Sequence, residues 1–195
     1  MHIHYYILNK PYGYLSQFTP EGRWKGLGEL HIFPSDVYAV GRLDADSEGL
    51  LILTNDKALN HRLLDPKFQH VRTYLAQVDG DITEEAILKL QGELKITVRG
   101  NAHRTLGAEA MKMALPENLW ERTPAVRFRA NIPTSWVQLQ VTEGKNRQVR
   151  KMTAAVGFPT LRLIRTHIEQ LDVWNIKSGE VREITKEELY PLLHI

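Results

Sequence analysis

Three observations predict an α+β fold built on a mixed, mostly antiparallel sheet flanked by helices. Several segments alternate apolar and polar residues with period two, and others set a helix cap ahead of apolar residues at helical spacing. Strands and helices are also interleaved without an internal repeat, a low-complexity tract or an obvious linker. No boundary divides residues 1–195, so a single domain is expected.

The chain opens with HIHYYILNKPYG, whose alternating aromatic and β-branched residues read as a strand ending in a turn at Pro11 and Gly13. VYAV and LLILT, on either side of an acidic stretch, read as two further strands. KALNHRLLDP carries Leu59, Leu63 and Leu64 and stops at Pro66, which predicts a short helix. VRTYLAQVDG returns to strand spacing, with Val71, Thr73, Leu75 and Gln77 on one side and Arg72, Tyr74, Ala76 and Val78 on the other. TEEAILKLQ has a threonine cap, two glutamates in its first turn and apolar Ile87, Leu88 and Leu90, so residues 83–91 are expected as a helix. KITVRG, GAEAMKMAL, VRFRAN and SWVQLQVTEG follow as antiparallel strands, the last with Trp136, Gln138 and Gln140 alternating with Val137, Leu139 and Val141. KNRQVRKMTAAVG, taken as a helix, puts Arg147, Arg150 and Lys151 on a basic stripe opposite Val149, Met152 and Val156, and ends at Gly157 before Pro159. In TKEELYPLL, Thr185 and Glu188 have capping-box spacing.

With 195 residues, 43% hydrophobic and 25% charged, the chain can bury one good core or two small lobes. It has no apolar run of membrane-spanning length, and MHIHYYILNK lacks the layout of a signal peptide, so a soluble cytoplasmic protein without membrane contact is expected. The absence of cysteine excludes disulfides, thiolate metal sites and a cysteine nucleophile. A formal charge of +2 is no argument for a polyanionic partner, yet residues 144–168 hold six basic side chains and no acid. That segment predicts a local anion-binding surface or, more plainly, a solvated basic helix face.

The acidic stretch AVGRLDADSEGLLILTND, residues 39–56, admits three readings. As a calcium loop it matches half of an EF-hand, with Asp44, Asp46, Glu48 and Gly49 at positions 1, 3, 5 and 6. The other half fails, because position 12 is Asn55 and the flanks are strand-like. As a hairpin it needs only the Asp, Ser and Gly that any such loop contains. As a catalytic turn it explains why Arg42 and Asp44 stand at the rim of a sheet, where a side chain is held rigidly.

GRLDADSEGLLILTND resembles the catalytic signature of the RsuA-type ribosomal RNA pseudouridine synthases. LNKPYG at 8–13, EGKNRQVRKM at 143–152 and LRLIRTHI at 161–168 agree with that family in the same order. By its length and its start at LNKPYG, the chain is most similar to the RluE-like subgroup, which acts on large-subunit rRNA; many relatives carry an N-terminal S4 domain, and none is expected here. Arg72 stands where many relatives have lysine, and Glu169 replaces a usual glycine, which puts the local turn in question.

The resemblance implies the pseudouridine synthase fold with a catalytic cleft across its sheet, and isomerisation of uridine to pseudouridine in ribosomal RNA, most closely 23S. It implies Asp44 as nucleophile, Arg150 as the cation that keeps Asp44 ionised and aimed, and Tyr74 against the flipped base with Leu163 on its other side. Arg42, Lys10, Lys145, Arg147, Lys151, Arg162 and Arg165 are then the candidates for gripping phosphate. Tyr74 as plain sheet core remains open. His2, His4, His61, His70 and His103 offer no ligand spacing, so neither a metal nor an organic cofactor is expected, and a monomer is the default. The rival class is a non-catalytic RNA-binding or ribosome-assembly protein of the same fold.

Overall fold

The computed structural model describes residues 2–126 and 132–195. In chain order its elements are β1 (Tyr5–Lys10), β2 (Tyr38–Ala39), β3 (Ser47–Thr54), α1 (Lys57–Leu64), β4 (Arg72–Asp79), α2 (Glu84–Gln91), β5 (Lys95–Val98), β6 (Asn101–Arg104), β7 (Glu109–Met113), β8 (Thr134–Val141), α3 (Gln148–Ala155), β9 (Thr160–Ile168), β10 (Leu171–Asp172), β11 (Val181–Glu183) and α4 (Lys186–Leu192). This is the α+β class that the sequence predicts. The chain forms two compact units, one of residues 1–70 and 165–195 and one of residues 71–164.

In the first unit the strand order is β11-β1-β3-β9, with β2 beside β3 and β10 beside β9. β1 pairs antiparallel with β3 from Tyr5 opposite Thr54 to Lys10 opposite Gly49. Every residue of β1 and β3 is buried. A continuous apolar run, unlike an alternating one, requires cover on both faces of the sheet. On one face Tyr6, Leu8, Leu51 and Leu53 pack with Leu27 and Val37, joined by Phe18, Leu30 and Phe33. On the other, Tyr5 reaches α4, its ring centroid 6.1 Å from that of Tyr190.

The Thr54-Asn55-Asp56 triplet locks this arrangement. Thr54 Oγ1 donates to the His4 carbonyl, and Asn55 Oδ1 accepts from the His4 amide while its Nδ2 donates to the His2 carbonyl. Asp56 caps α1 by accepting from the Ala58 and Leu59 amides, and its other oxygen accepts from the hydroxyls of Tyr5 and Tyr190, each at 2.7 Å. One carboxylate thus joins β1, α1 and α4.

The second unit has the order β9-β4-β8-β7, with β5 and β6 as a separate hairpin. β4 and β8 pair over eight residues, from Arg72 opposite Val141 to Asp79 opposite Thr134. Val137, Leu139 and Val141 enter a core with Ala76, Val78, Ile87, Leu90 and Met152, as the alternation in β8 predicts. Thr83 caps α2, whose buried stripe is Ala86, Ile87 and Leu90, while Leu88 lies off it and is exposed. At the chain end Thr185 and Glu188 form the expected capping box.

The differences from expectation are local. VYAV contributes only the two residues of β2, while β3 begins at Ser47, so Glu48 and Gly49 belong to a strand and not to the turn. KITVRG is one arm of a hairpin whose return, β6, follows a turn at Arg99 and Gly100, both at positive φ. Of the strand expected at VRFRAN, residues 127–131 lie outside the described residues. Arg147 has φ 53 and precedes α3, so it shares no helical stripe with Arg150 and Lys151.

The Asp56 junction generates a prediction. Burial raises the pKa of Asp56, but hydrogen bonds from Tyr190, Tyr5 and the Leu59 and Ala58 amides outweigh it and hold the carboxyl below its ordinary value. A depressed folded pKa contributes stability above the unfolded pKa and loses it as pH falls through the folded one. Asp56→Ala should lower unfolding stability by about 2–4 kcal/mol at neutral pH, from the lost cap and two hydroxyl bonds. The gap to wild type, measured by urea unfolding, should narrow below about pH 4.

Candidate active site

Residues 41–46 leave the sheet and return to it as a braced loop in the first unit. The Val40 amide donates to the Ile52 carbonyl at its start, and the Ser47 amide to the Asp44 carbonyl at its end. Between them, Ser16 Oγ bonds both the amide and the carbonyl of Leu43 at 2.9 Å, and the Gly13 amide donates to the Ala45 carbonyl. Leu43 is buried, which fixes the loop from below. Asp44 is half-buried on this support, and Arg42 beside it is exposed.

Gly49 sets the position of the strand that follows. At φ +105 it lies so close to β9 that an added Cβ would sit 2.3 Å from the Arg165 carbonyl oxygen. No other residue fits there without moving backbone. The glycine that matched an EF-hand position therefore serves strand contact. Glu48 is 1% exposed within β3, and among the described residues Asp44, Asp46 and Glu48 do not bring three ligand oxygens within 4.8 Å of one another. The calcium reading loses its geometry.

Lys10, at the end of β1, is fully buried, and its Nζ donates to the carbonyls of Pro11 (3.0 Å) and Tyr14 (2.6 Å). Burial pulls its pKa down to about 7; Glu48, Asp46 and Asp44 oppose that shift, and Arg165 adds to it. Arg165 is 4% exposed, and its Nε donates to the Leu50 carbonyl while Nη2 has no hydrogen-bond partner among the described residues. Lys10 is thus an interior group in electrostatic reach of Asp44, Asp46 and Glu48, and Arg165 is an interior guanidinium near it, where the sequence suggests candidates for gripping phosphate.

The second unit carries the remaining predicted residues. Tyr74 lies in β4 opposite Leu139, half-buried against the core. Leu163 is itself a core residue. Arg150, in the first turn of α3, is half-buried, and its Nη1 donates to the Thr160 carbonyl at 3.3 Å. Arg162 is buried and donates to the Trp120 carbonyl, its guanidinium 5.9 Å from that indole ring. Lys145 and Arg147 are exposed, and half-buried Lys151 donates to the Asn146 carbonyl.

Sequence reasoning missed the residues that hold this basic segment. Glu143 accepts from the Leu106 amide and from Gln148 Nε2, and lies 2.9 Å from His103 Nε2. Gln148 in turn accepts from the Lys145 amide. Both stand in the EGKNRQ stretch as unremarkable polar residues, and only their burial marks them as scaffold.

A family model described as RNA pseudouridylate synthase matches residues 4–155. Ribosomal large subunit pseudouridine synthase E of Vibrio parahaemolyticus is 46% identical over 178 residues, covering 91% of this chain and 72% of that protein. The protein of the same name from Xanthomonas axonopodis pv. citri is 48% identical over 164 residues, covering 83% of this chain and 84% of its own. A crystal structure of a pseudouridylate synthase superposes with a TM-score of 0.76 at 26% identity, covering 98% of this chain and 74% of that one.

Lys10 gives this site a measurable pH signature. With a folded pKa near 7 and an unfolded value near 10.5, the unfolded chain binds more protons between those limits. Stability should therefore rise with pH through that window, by up to about 1.4 kcal/mol per pH unit. Urea midpoints of wild type and Lys10→Met, compared from pH 7 to 9, should diverge accordingly. Parallel profiles would contradict the assignment.

Proposed function

This chain belongs to the RNA pseudouridylate synthase family, and from that premise we propose that it isomerises one uridine of large-subunit ribosomal RNA to pseudouridine, with Asp44 as nucleophile. The observation that carries the assignment is Asp44 itself, a half-buried carboxylate on a loop braced by Ser16 and Gly13, within the stretch matched by the family model.

The reaction breaks the N1–C1′ bond, turns the uracil and joins C5 to C1′, expelling the C5 proton. It is redox-neutral and transfers no outside group. Its demand on the protein is a carboxylate that stays ionised beside RNA phosphates, whose charge raises carboxyl pKa values. Arg150 supplies the opposing cation in this reading, oriented by its bond to the Thr160 carbonyl. The target base must leave its stack at a cost of a few kcal/mol, which stacking on Tyr74 and contact with Leu163 offset in part.

Phosphate contact we assign first to Arg42, Lys145, Arg147 and Lys151, which keep exposed or half-exposed cations. Lys10, Arg162 and Arg165 act from within the protein, on the carboxylate loop and on main-chain carbonyls. We take the enzyme to act as a cytoplasmic monomer on rRNA. No helix among the described residues is long and apolar enough to cross a membrane.

Tritium release from uridine labelled at C5 tests the chemistry. Large-subunit rRNA should release tritium with wild type and none above background with Asp44→Asn. Arg150→Ala should lower kcat by about two orders of magnitude and move the acid limb of the pH–rate profile upward, with Arg150→Lys returning that limb toward wild type. Lys145→Ala and Arg147→Ala should each weaken binding and reduce the salt slope by about one. Binding without tritium release, from naked rRNA and from pre-ribosomal particles alike, would favour an assembly protein instead.

A further inference from the structure

We propose that His2, His4 and Glu183 form a binding site for a divalent transition-metal ion. His2 and His4 are two apart along an extended segment, so their side chains leave it on one face. Glu183 belongs to β11, where it pairs with Tyr6 of β1. One ligand atom from each of the three lies within 4.8 Å of the others. His4 Nδ1 is 3.2 Å from Glu183 Oε1, and the two imidazole rings meet edge to face with centroids 4.5 Å apart. Ligands on a tetrahedral ion with bonds of 2.0–2.1 Å stand roughly 3.4 Å from one another, so small side-chain rotations complete the set.

The backbone beneath the three ligands is fixed independently of any ion. Asn55 holds both the His4 amide and the His2 carbonyl, and Thr54 holds the His4 carbonyl. The β1–β11 ladder holds Glu183. The Tyr6 ring stacks on that of His4 at an interplanar angle of 9°, with its hydroxyl 3.4 Å from Nδ1. The stacked ring holds the plane of the His4 imidazole, while the hydroxyl meets the same nitrogen that faces Glu183 and yields it when an ion binds.

Two imidazoles and one carboxylate suit Zn²⁺, Ni²⁺ or Cu²⁺, whereas Ca²⁺ and Mg²⁺ require oxygen ligands. The Glu183 side chain is 60% exposed, so water completes the coordination and the ion exchanges with solvent. The bound ion clamps the start of the chain to β11 and stabilises the folded state by mass action. The ordinary alternative is an ion pair between protonated His4 and Glu183, which uses the same atoms and excludes the metal. None of the three residues belongs to the motifs of the proposed uridine chemistry.

Titration of the tag-free, EDTA-stripped chain with Zn²⁺, followed by calorimetry and by thermal melting, decides between the two. One ion per chain with a saturable rise in Tm is expected, and Co²⁺ should give the visible absorption of a nitrogen-containing site. His2→Ala, His4→Ala and Glu183→Gln should each weaken binding at least about tenfold, while His61→Ala binds as wild type. Melting in EDTA separates a lost ligand from a lost fold, and Glu183→Gln on an exposed strand end keeps the test open if a histidine variant unfolds. Absence of saturable binding, or binding unchanged in all three variants, would overturn the site.

Discussion

Strand β3 exposes no residue to solvent, and the first unit is arranged to meet that constraint. Eight consecutive buried positions need neighbours on both edges and cover on both faces. β1 and β9 supply the edges, the Phe18 to Val37 region supplies one face, and Tyr5 reaches α4 on the other. The approach of β9 is close enough to demand glycine at 49. Because the strand cannot shift, the loop that feeds it cannot shift either. Asp44 lies three residues before Ser47, half-buried on the loop that Ser16 and Gly13 brace.

Elements whose pattern reflects their own neighbours were legible in the sequence. β8 alternates because one face is buried and the other is not, and α2 and α4 announce themselves by caps that act over three residues. What failed to show depends on partners remote in sequence. The spacing does not show that Arg165 turns inward, since the carbonyl that receives it is Leu50 of β3, and the burial of Lys10 depends on strands that pack around it from elsewhere in the chain. Spacing alone puts Arg147 in α3, but its left-handed backbone places it outside the helix. The histidine pair at 2 and 4 acquires meaning only beside Glu183, almost the whole chain away.

Glu169 illustrates how a departure from a family pattern is absorbed. The turn after THI uses a backbone with φ 50, which glycine adopts freely and other residues adopt at a cost of about 1–2 kcal/mol. Here the side chain that causes the strain also offsets it. One oxygen of Glu169 lies 2.9 Å from Nδ1 of buried His70, and the other 3.4 Å from Nδ1 of His194. A glycine would relax the backbone and release both contacts. The residue thereby ties the end of the chain to the segment before β4.

The division of basic residues between interior and surface follows from what each location does to a charge. A surface cation is screened and adaptable, which suits a backbone whose phosphates are spaced regularly but whose sequence varies. An interior basic group is weakly screened, and its position does not depend on whether RNA is present. Lys10 and Arg165 occupy the second kind of position, each tied to main-chain carbonyls that fix its direction. The placement of Lys10 beside residues 44–48 is thus fixed in the first unit by folding. In the proposed reading, RNA meets a loop whose basic neighbours are already in place, and phosphate contact falls to the exposed residues of the basic segment.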